Sequence, residues 1–479
     1  MMTRHPLVTA AIIPALLLAG CNFAPAYRTP VSVAIPPSFK EAPGWKIATP
    51  SDAVARGEWW RLFNDDTLND LERRVLVSNQ NLASAKAAYD QARALVREER
   101  AALFPVVSLQ GQGNRSGSFG NSAATIGTSG TSGSLVSLGI GATWEPDLWG
   151  AIGNAVSQNK ALAQASAGDL INATLSAQGE LALDYVQLRG IEAQKLALDQ
   201  TVADYTRALT ITVNMYNAGV SARSDVLQAE VALRNAKADA ADLIRQRAIL
   251  EHAIAVLVGE SASTFSLPAG KWNRVVPEVP AILPSTLLER RPDVAAAERR
   301  VAAANAGIGI QKAAFFPTIS LSGQAGSTAT SVAGLFDAAS TVWSLGLTGL
   351  LTLLDFGARS ARVDQARAGY EQAVATYRQT VLTAFQQVED QLAATDILRT
   401  VSDERAAAAV AADRAEVIAR NQYVAGQVGY AAVIVAQTTA LAARTSDIQA
   451  VTNRQTAAIS LVQAIGGHWS TPLALPSGP

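Results

Sequence analysis

Two proline-free stretches constrain this chain more than any other feature. No proline occurs from Asp147 to Leu267, 121 residues, or from Thr318 to Thr471, 154 residues. Proline breaks or kinks a helix interior, so alanine-rich stretches without it read as very long helices. Each stretch carries one short interruption, "MYNAGVSA" at Met215–Ala222 and "QYVAGQVG" at Gln422–Gly429. Ahead of each lie 67 residues, Ala151–Asn217 and Ala358–Val424. At about 1.5 Å per residue either run makes a helix roughly 100 Å long. The 38 residues from Asp66 to Leu103 and the 35 from Ser224 to Val258 read as shorter helices. Stacked end to end, they match one long helix in length.

The two interruptions belong to a larger duplication. "AALFPVVSLQGQG" from Ala101 returns as "AAFFPTISLSGQAG" from Ala313, "DLWG" at Asp147 as "LDFG" at Leu354, and "YNAG" at Tyr216 as "YVAG" at Tyr423. The offset is 212 residues before the first interstrand loop and 207 after it. A period this long marks duplication of a whole unit and not a solenoid. The boundaries read as repeat 1 over 63–259, a proline-rich linker over 260–292 and repeat 2 over 293–467. A proline-rich extended arm over 21–62 precedes them, and a tail over 468–479 follows.

Each repeat has the order helix, strand, strand, long helix, turn, helix. Period-two alternation supplies the strand evidence. From Val136 to Trp144 the even positions are Val, Leu, Ile, Ala and Trp, against Ser, Gly, Gly and Thr. The strands are expected at about 104–113, 135–146, 316–325 and 343–353, with turns at about 216–225 and 423–432. A half-buried soluble sheet fits this alternation, and so do membrane strands with one face toward lipid. The membrane reading accounts for aromatics at strand ends, Trp144, Trp149, Trp343 and Phe356, as an interfacial belt. Four strands cannot close a barrel, and open edges cannot face lipid, so on that reading several chains pool their strands. The helices fit a solid bundle or a one-helix-thick wall around a lumen; abundant Ala and Gly suits the wall.

The amino terminus shows a charged start, an apolar stretch at Leu7–Leu18 and then "LAGC" ending at Cys21. This is the pattern of a signal peptide over 1–20 followed by a lipobox. Cys21 is the only cysteine, which favours acylation by diacylglycerol and N-palmitoyl over a chance cysteine, and Asn22 behind it favours onward export to the outer membrane. No run of 18 apolar residues follows, so no transmembrane helix is expected.

Several functions are poorly supported. A net charge of −1 gives no reason to expect nucleic acid. One cysteine and three dispersed histidines, His5, His252 and His468, offer no zinc site. No nucleophile–histidine–acid set or phosphate loop is present, so neither an enzyme nor a cofactor or metal is expected.

The combination of "LAGC", "WWRLFNDDTLNDL" from Trp59, "RAALFPVVSLQG" from Arg100, "LLERRPDVAAAERRVAAANAGIGIQKAAFFPTISLSG" from Leu287 and "IGGHW" at Ile465 resembles the outer membrane factors. The similarity is to the NodT-type lipoproteins of RND efflux systems, related to TolC, and covers nearly the whole mature chain. It implies a mainly α fold with a membrane β-barrel. Three chains would share a twelve-stranded barrel in the outer membrane and a long periplasmic α-helical tunnel. The implied function is an exit duct for an inner-membrane RND pump and its periplasmic adaptor. A type I protein secretion duct and a lipid-anchored coiled-coil scaffold without a pore are the alternatives.

The resemblance puts the two turns at the periplasmic tip. Tyr216, Gly219, Val220, Tyr423 and Gly426 then match adaptor-facing positions, and Asp225 matches an acid of the tunnel gate. Val428 stands where some relatives carry Arg, and Ala432 and Val435 where some carry acids, so the resemblance does not carry over a strong cation-binding gate and leaves both an ionic and an apolar gate open. Local reasons also suffice for some of these residues. The glycines suit helix-ending positions with positive φ, and Asp225 suits the first turn of a helix.

Overall fold

The computed structural model of the chain describes residues 23–30, 39–40, 58–116, 133–277 and 291–467. Cys21 and the segment over 1–20 read as a signal peptide, most of the arm, the loop at 117–132, residues 278–290 and the tail from His468 lie outside the described residues.

Repeat 1 contains α1 (Asp66–Ser78), α2 (Gln80–Ala101), β1 (Val106–Ser116), β2 (Gly133–Trp144), α3 (Ala151–Asn217) and α4 (Arg223–Leu257). Repeat 2 contains α5 (Pro292–Ala313), β3 (Thr318–Ala329), β4 (Thr341–Leu350), α6 (Ala358–Val424) and α7 (Tyr430–Ala464). The long helices α3 and α6 have 67 residues each, and α4 and α7 have 35 each. The helix expected over Asp66–Leu103 is interrupted at Asn79, which is extended at φ −67° and ψ 122°. Its side-chain carbonyl accepts from the backbone N–H of Asn81 and Leu82 at 2.9 and 3.1 Å, capping α2. Its amide donates to the Leu257 carbonyl at 2.8 Å, so the break holds the end of α4.

The chain divides into two compact units. The first comprises Met1–Val31, Tyr89–Ser166 and Ala297–Tyr377 and contains the antiparallel sheet, in the order β1-β2-β3-β4. Its register gathers apolar residues on one face. Leu109, Ile140, Ala325 and Trp343 lie in one cross-strand row. Ser108, Gly141, Gln324 and Ser344 form a row on the opposite face. The apolar face is uncovered in the single chain, with Leu345 at 78 % exposure. Among the described residues, β1 and β4 each keep one unpaired edge.

The second unit comprises Ser32–Ala88, Ala167–Ala296 and Arg378–Pro479. Large apolar side chains are fully buried here, including Trp59, Trp60, Leu181, Leu188, Ile254 and Ile459. The glycines of α3 let helices approach closely. A Cβ on Gly179 would overlap the Gln463 side chain, and one on Gly190 would lie 2.6 Å from Thr452 Oγ1. This contact offsets the cost of about 1 kcal/mol that each glycine brings to a helix.

The start of the linker is fastened by charge. Arg189, buried on α3, stacks over Tyr185 and donates to Glu192 at 2.6 Å and to the Pro268 carbonyl at 3.0 Å. Arg247 donates to Glu192 at 2.8 Å and to Glu251 at 2.9 Å, while Glu251 accepts from the Leu267 N–H at 2.6 Å. Linker carbonyls and N–H groups thus find partners where no ladder is available.

Asp184, half-buried on α3, is pushed up to about 6 by burial and then by Glu180 one turn earlier. A carboxyl raised in the folded state holds its proton more tightly there than in the unfolded chain. Its contribution to stability is full below the ordinary aspartate value and is lost as pH rises through about 6. Asp184→Asn is therefore expected to melt above the wild type near pH 7.5, with the gap closing near pH 4.5. Thermal unfolding followed by circular dichroism reads this, and an equal gap at both pH values would contradict it.

Candidate functional site

The two turns between long and short helices have one backbone design. Gly219 and Gly426 adopt φ +75° and +71°, a left-handed conformation that costs a residue with a side chain about 1–2 kcal/mol. Gly219 N–H donates to the Tyr216 carbonyl at 2.9 Å, and Val220 N–H to that of Met215 at 2.8 Å. Gly426 N–H donates to Tyr423 and Gln427 N–H to Gln422, both at 2.9 Å. This is a Schellman closure in both copies, with nothing within 4 Å of a Cβ built on either glycine. The next helices start from extended Ala222 and Gly429, neither giving a side-chain cap. Asp225 occupies the first turn of α4, where a negative charge complements the helix dipole.

The side chains of the two turns are placed unequally. Tyr423 is 8 % exposed, whereas Tyr216 is 41 % exposed. Tyr423 packs against Tyr430 with ring centroids 5.2 Å apart, and its hydroxyl donates to Met215 Sδ at 3.2 Å. These two rings, Ala229 and Val433 form a buried cluster with Met215 and Val428 against it. Burial, and then the neighbouring Tyr423 and Asp225, raise the Tyr430 phenol. Val428 thus belongs to the packing of the turns, while Val220, Ala432 and Val435 are exposed.

Farther along, the two hairpins are held differently. Arg444 on α7 donates to Asp413 at 2.6 Å and to Glu416 at 2.8 Å on α6. The positions 207 residues earlier are Lys237, Thr206 and Leu209. That hairpin is held by a cluster of Leu198, Tyr205, Leu233 and Ala236. Tyr430 and Arg444 were not legible as site residues; two acids three apart and a cation 28 residues on were the available signal for Arg444.

The strand-end aromatics also differ. Trp144 donates to the Leu103 carbonyl at 3.0 Å while staying partly exposed. Trp343 and Phe356 are exposed, Phe356 at φ +51°. Trp149 is half-buried: it donates to the Pro317 carbonyl at 2.6 Å and stacks on Phe316, which stacks on Phe23 of the arm. Among the described residues no group of three or more His, Cys, Asp or Glu could hold a metal, and no helix is long and apolar enough to cross a membrane.

The sequence profile described as "Outer membrane efflux protein" matches residues 71–260 and 283–467. The chain belongs to this family of outer-membrane channel proteins. It is 30% identical over 474 residues to the probable efflux pump outer membrane protein TtgC of Pseudomonas putida, covering 98% of this chain and 96% of that one. It is 29% identical to the outer membrane protein OprJ of Pseudomonas aeruginosa, covering 98% and 97%. Among solved structures, the outer-membrane channel OprN superposes with a TM-score of 0.83 at 28% identity, over 93% of this chain and 99% of that one.

Proposed function

We propose that the chain is the outer-membrane exit duct of a tripartite RND-type efflux pump. It would take small molecules from an inner-membrane pump and periplasmic adaptor and release them outside. One observation carries the reading: a two-faced sheet with two open edges belongs to the same chain as two helical hairpins of equal length. An apolar face this exposed needs lipid, and the edges of β1 and β4 need partners. Each backbone group left unpaired in hydrocarbon costs several kcal/mol. Pairing β4 of one copy with β1 of the next satisfies both edges, and three four-stranded sheets give a twelve-stranded barrel. The polar face then lines the pore.

The helices of three copies form the periplasmic tunnel, with six turns at its far end. The exposed residues Tyr216 and Val220, beside Gly219, meet the adaptor, as does the turn at Gly426. Asp225, Ala432 and Val435 border the gate, and Val428 supports it from within the packed cluster. No reaction is needed, because the pump supplies the energy.

Cys21 carries diacylglycerol and an N-linked palmitoyl group in this reading. The arm two residues later stacks Phe23 on Phe316, ring centroids 4.4 Å apart, in the unit that holds the sheet. Each buried methylene of the acyl chains contributes about 0.8 kcal/mol of anchoring. Cys21→Ala is expected to lose metabolic labelling with palmitate while the protein still forms its barrel. Labelling that persists would exclude Cys21 as the acylated residue.

Reconstitution into planar bilayers tests the duct. Discrete conductance from a heat-resistant oligomer is expected. A protein that binds bilayers without conducting would instead be a scaffold.

A further inference from the structure

The chain has three methionines, Met1, Met2 and Met215. The first two fall in the segment read as a signal peptide, which leaves Met215 as the only thioether of the mature chain. It stands where the two hairpins meet. Its carbonyl closes the first turn, accepting from Val220 N–H at 2.8 Å. Its sulfur accepts from the Tyr423 hydroxyl of the second hairpin at 3.2 Å, and its side chain packs on the cluster of Ala229, Tyr423, Tyr430 and Val433. The position is half-buried, and residues 216–220 directly beside it are exposed. The corresponding residue of the second copy is Gln422, so the turns carry sulfur on one side only.

We propose that Met215 is an oxidation site through which a two-electron oxidant of the hypochlorous acid class loosens the junction of the two turns. The sulfur lone pair takes chlorine from HOCl and hydroxide leaves. Oxygen from that hydroxide or from water then displaces chloride at sulfur, and a proton is lost. The net products are the sulfoxide, H⁺ and Cl⁻; sulfur is oxidised by two electrons and chlorine is reduced by two. A flexible apolar side chain becomes polar and bulkier, and methionine sulfoxide reductases reverse the change. The Tyr423 hydroxyl donates to the sulfur at 3.2 Å; with oxygen bonded there, that hydrogen bond re-forms to an atom one bond farther out and displaces Tyr423 against Tyr430. The backbone closure at Gly219 does not involve the sulfur, so it opens more often without being lost.

The oxidation and its local effect stand on this geometry, and an effect on conductance rests also on the duct reading. Full-length protein purified from outer membranes is treated with graded hypochlorous acid, and peptides are examined by mass spectrometry and amide hydrogen exchange. Met215 is expected to gain one oxygen, and amides of 215–222 and 423–430 to exchange about fivefold faster, reversed by sulfoxide reductase. Met215→Leu, of similar volume, is expected not to respond; Met215→Gln, with a polar end, is expected to exchange quickly without oxidant. The proposal is overturned if Met215 stays unmodified while tryptophans oxidise, if the sulfoxide forms with exchange unchanged, or if Met215→Leu responds like the wild type. Faster exchange with unaltered conductance counts against the gate and supports the oxidation site.

Discussion

Gly326→Val is expected to eliminate the heat-resistant oligomer from the outer membrane. Gly326 pairs with Gly139 where the second strand of repeat 1 meets the first strand of repeat 2. A Cβ at residue 326 would lie 2.6 Å from Gly139 Cα and 2.6 Å from the Leu138 carbonyl oxygen. Both are backbone atoms and cannot rotate away. The β2–β3 ladder must therefore open, and every opened pair leaves N–H and C=O groups without partners. In water such a defect costs a few kcal/mol; within a bilayer each orphaned group costs several. A matched control is Gly133→Val, because β2 lies between β1 and β3 of the same chain and a Cβ there meets nothing within 4 Å. Outer-membrane fractions run on gels without heating read the result. Wild-type oligomer levels from Gly326→Val would contradict the strand register and the barrel built on it.

Gly219→Pro is expected to do the reverse, keeping the oligomer while abolishing efflux. Proline fixes φ near −65°, and Gly219 sits at +75°. Proline also removes the N–H that donates to Tyr216 at 2.9 Å. The first turn cannot close, and the surface formed by Tyr216 and Val220 loses its shape. The strand pairings do not include residue 219, so the oligomer remains. Gly219→Ala separates backbone strain from chain breakage. It costs about 1–2 kcal/mol at a left-handed position and is expected to weaken efflux only partly. Drug susceptibility in a strain lacking the gene, alongside unheated gels, measures both quantities. Loss of the oligomer in Gly219→Pro would make the turn a folding element; retained efflux would remove it from the transport path.

These two experiments draw on different kinds of information. Proline placement and period-two alternation were visible in the sequence, because both are local properties of the backbone. They gave the long helices ahead of each turn and the two faces of the sheet. The glycines of both turns were visible for the same reason, as positive φ is a demand made by one residue. The break at Asn79 was harder to see, because asparagine ends a helix only when its amide finds partners such as Leu257, 178 residues away.

One unit written twice, with matched helices, matched turns and alternating strands, could be read from the residues alone. How deeply equivalent residues are buried emerged only from the packing. Tyr216 and Tyr423 occupy equivalent places in the same motif, yet Tyr423 is buried against Tyr430 and Met215 while Tyr216 is open. Trp149 is half-buried and stacked on Phe316, where its counterpart Phe356 is exposed. A repeated sequence repeats its local hydrogen bonds, but burial depends on what the other copy brings to the contact. Two copies that pack on each other therefore cannot offer the same surroundings to every equivalent residue.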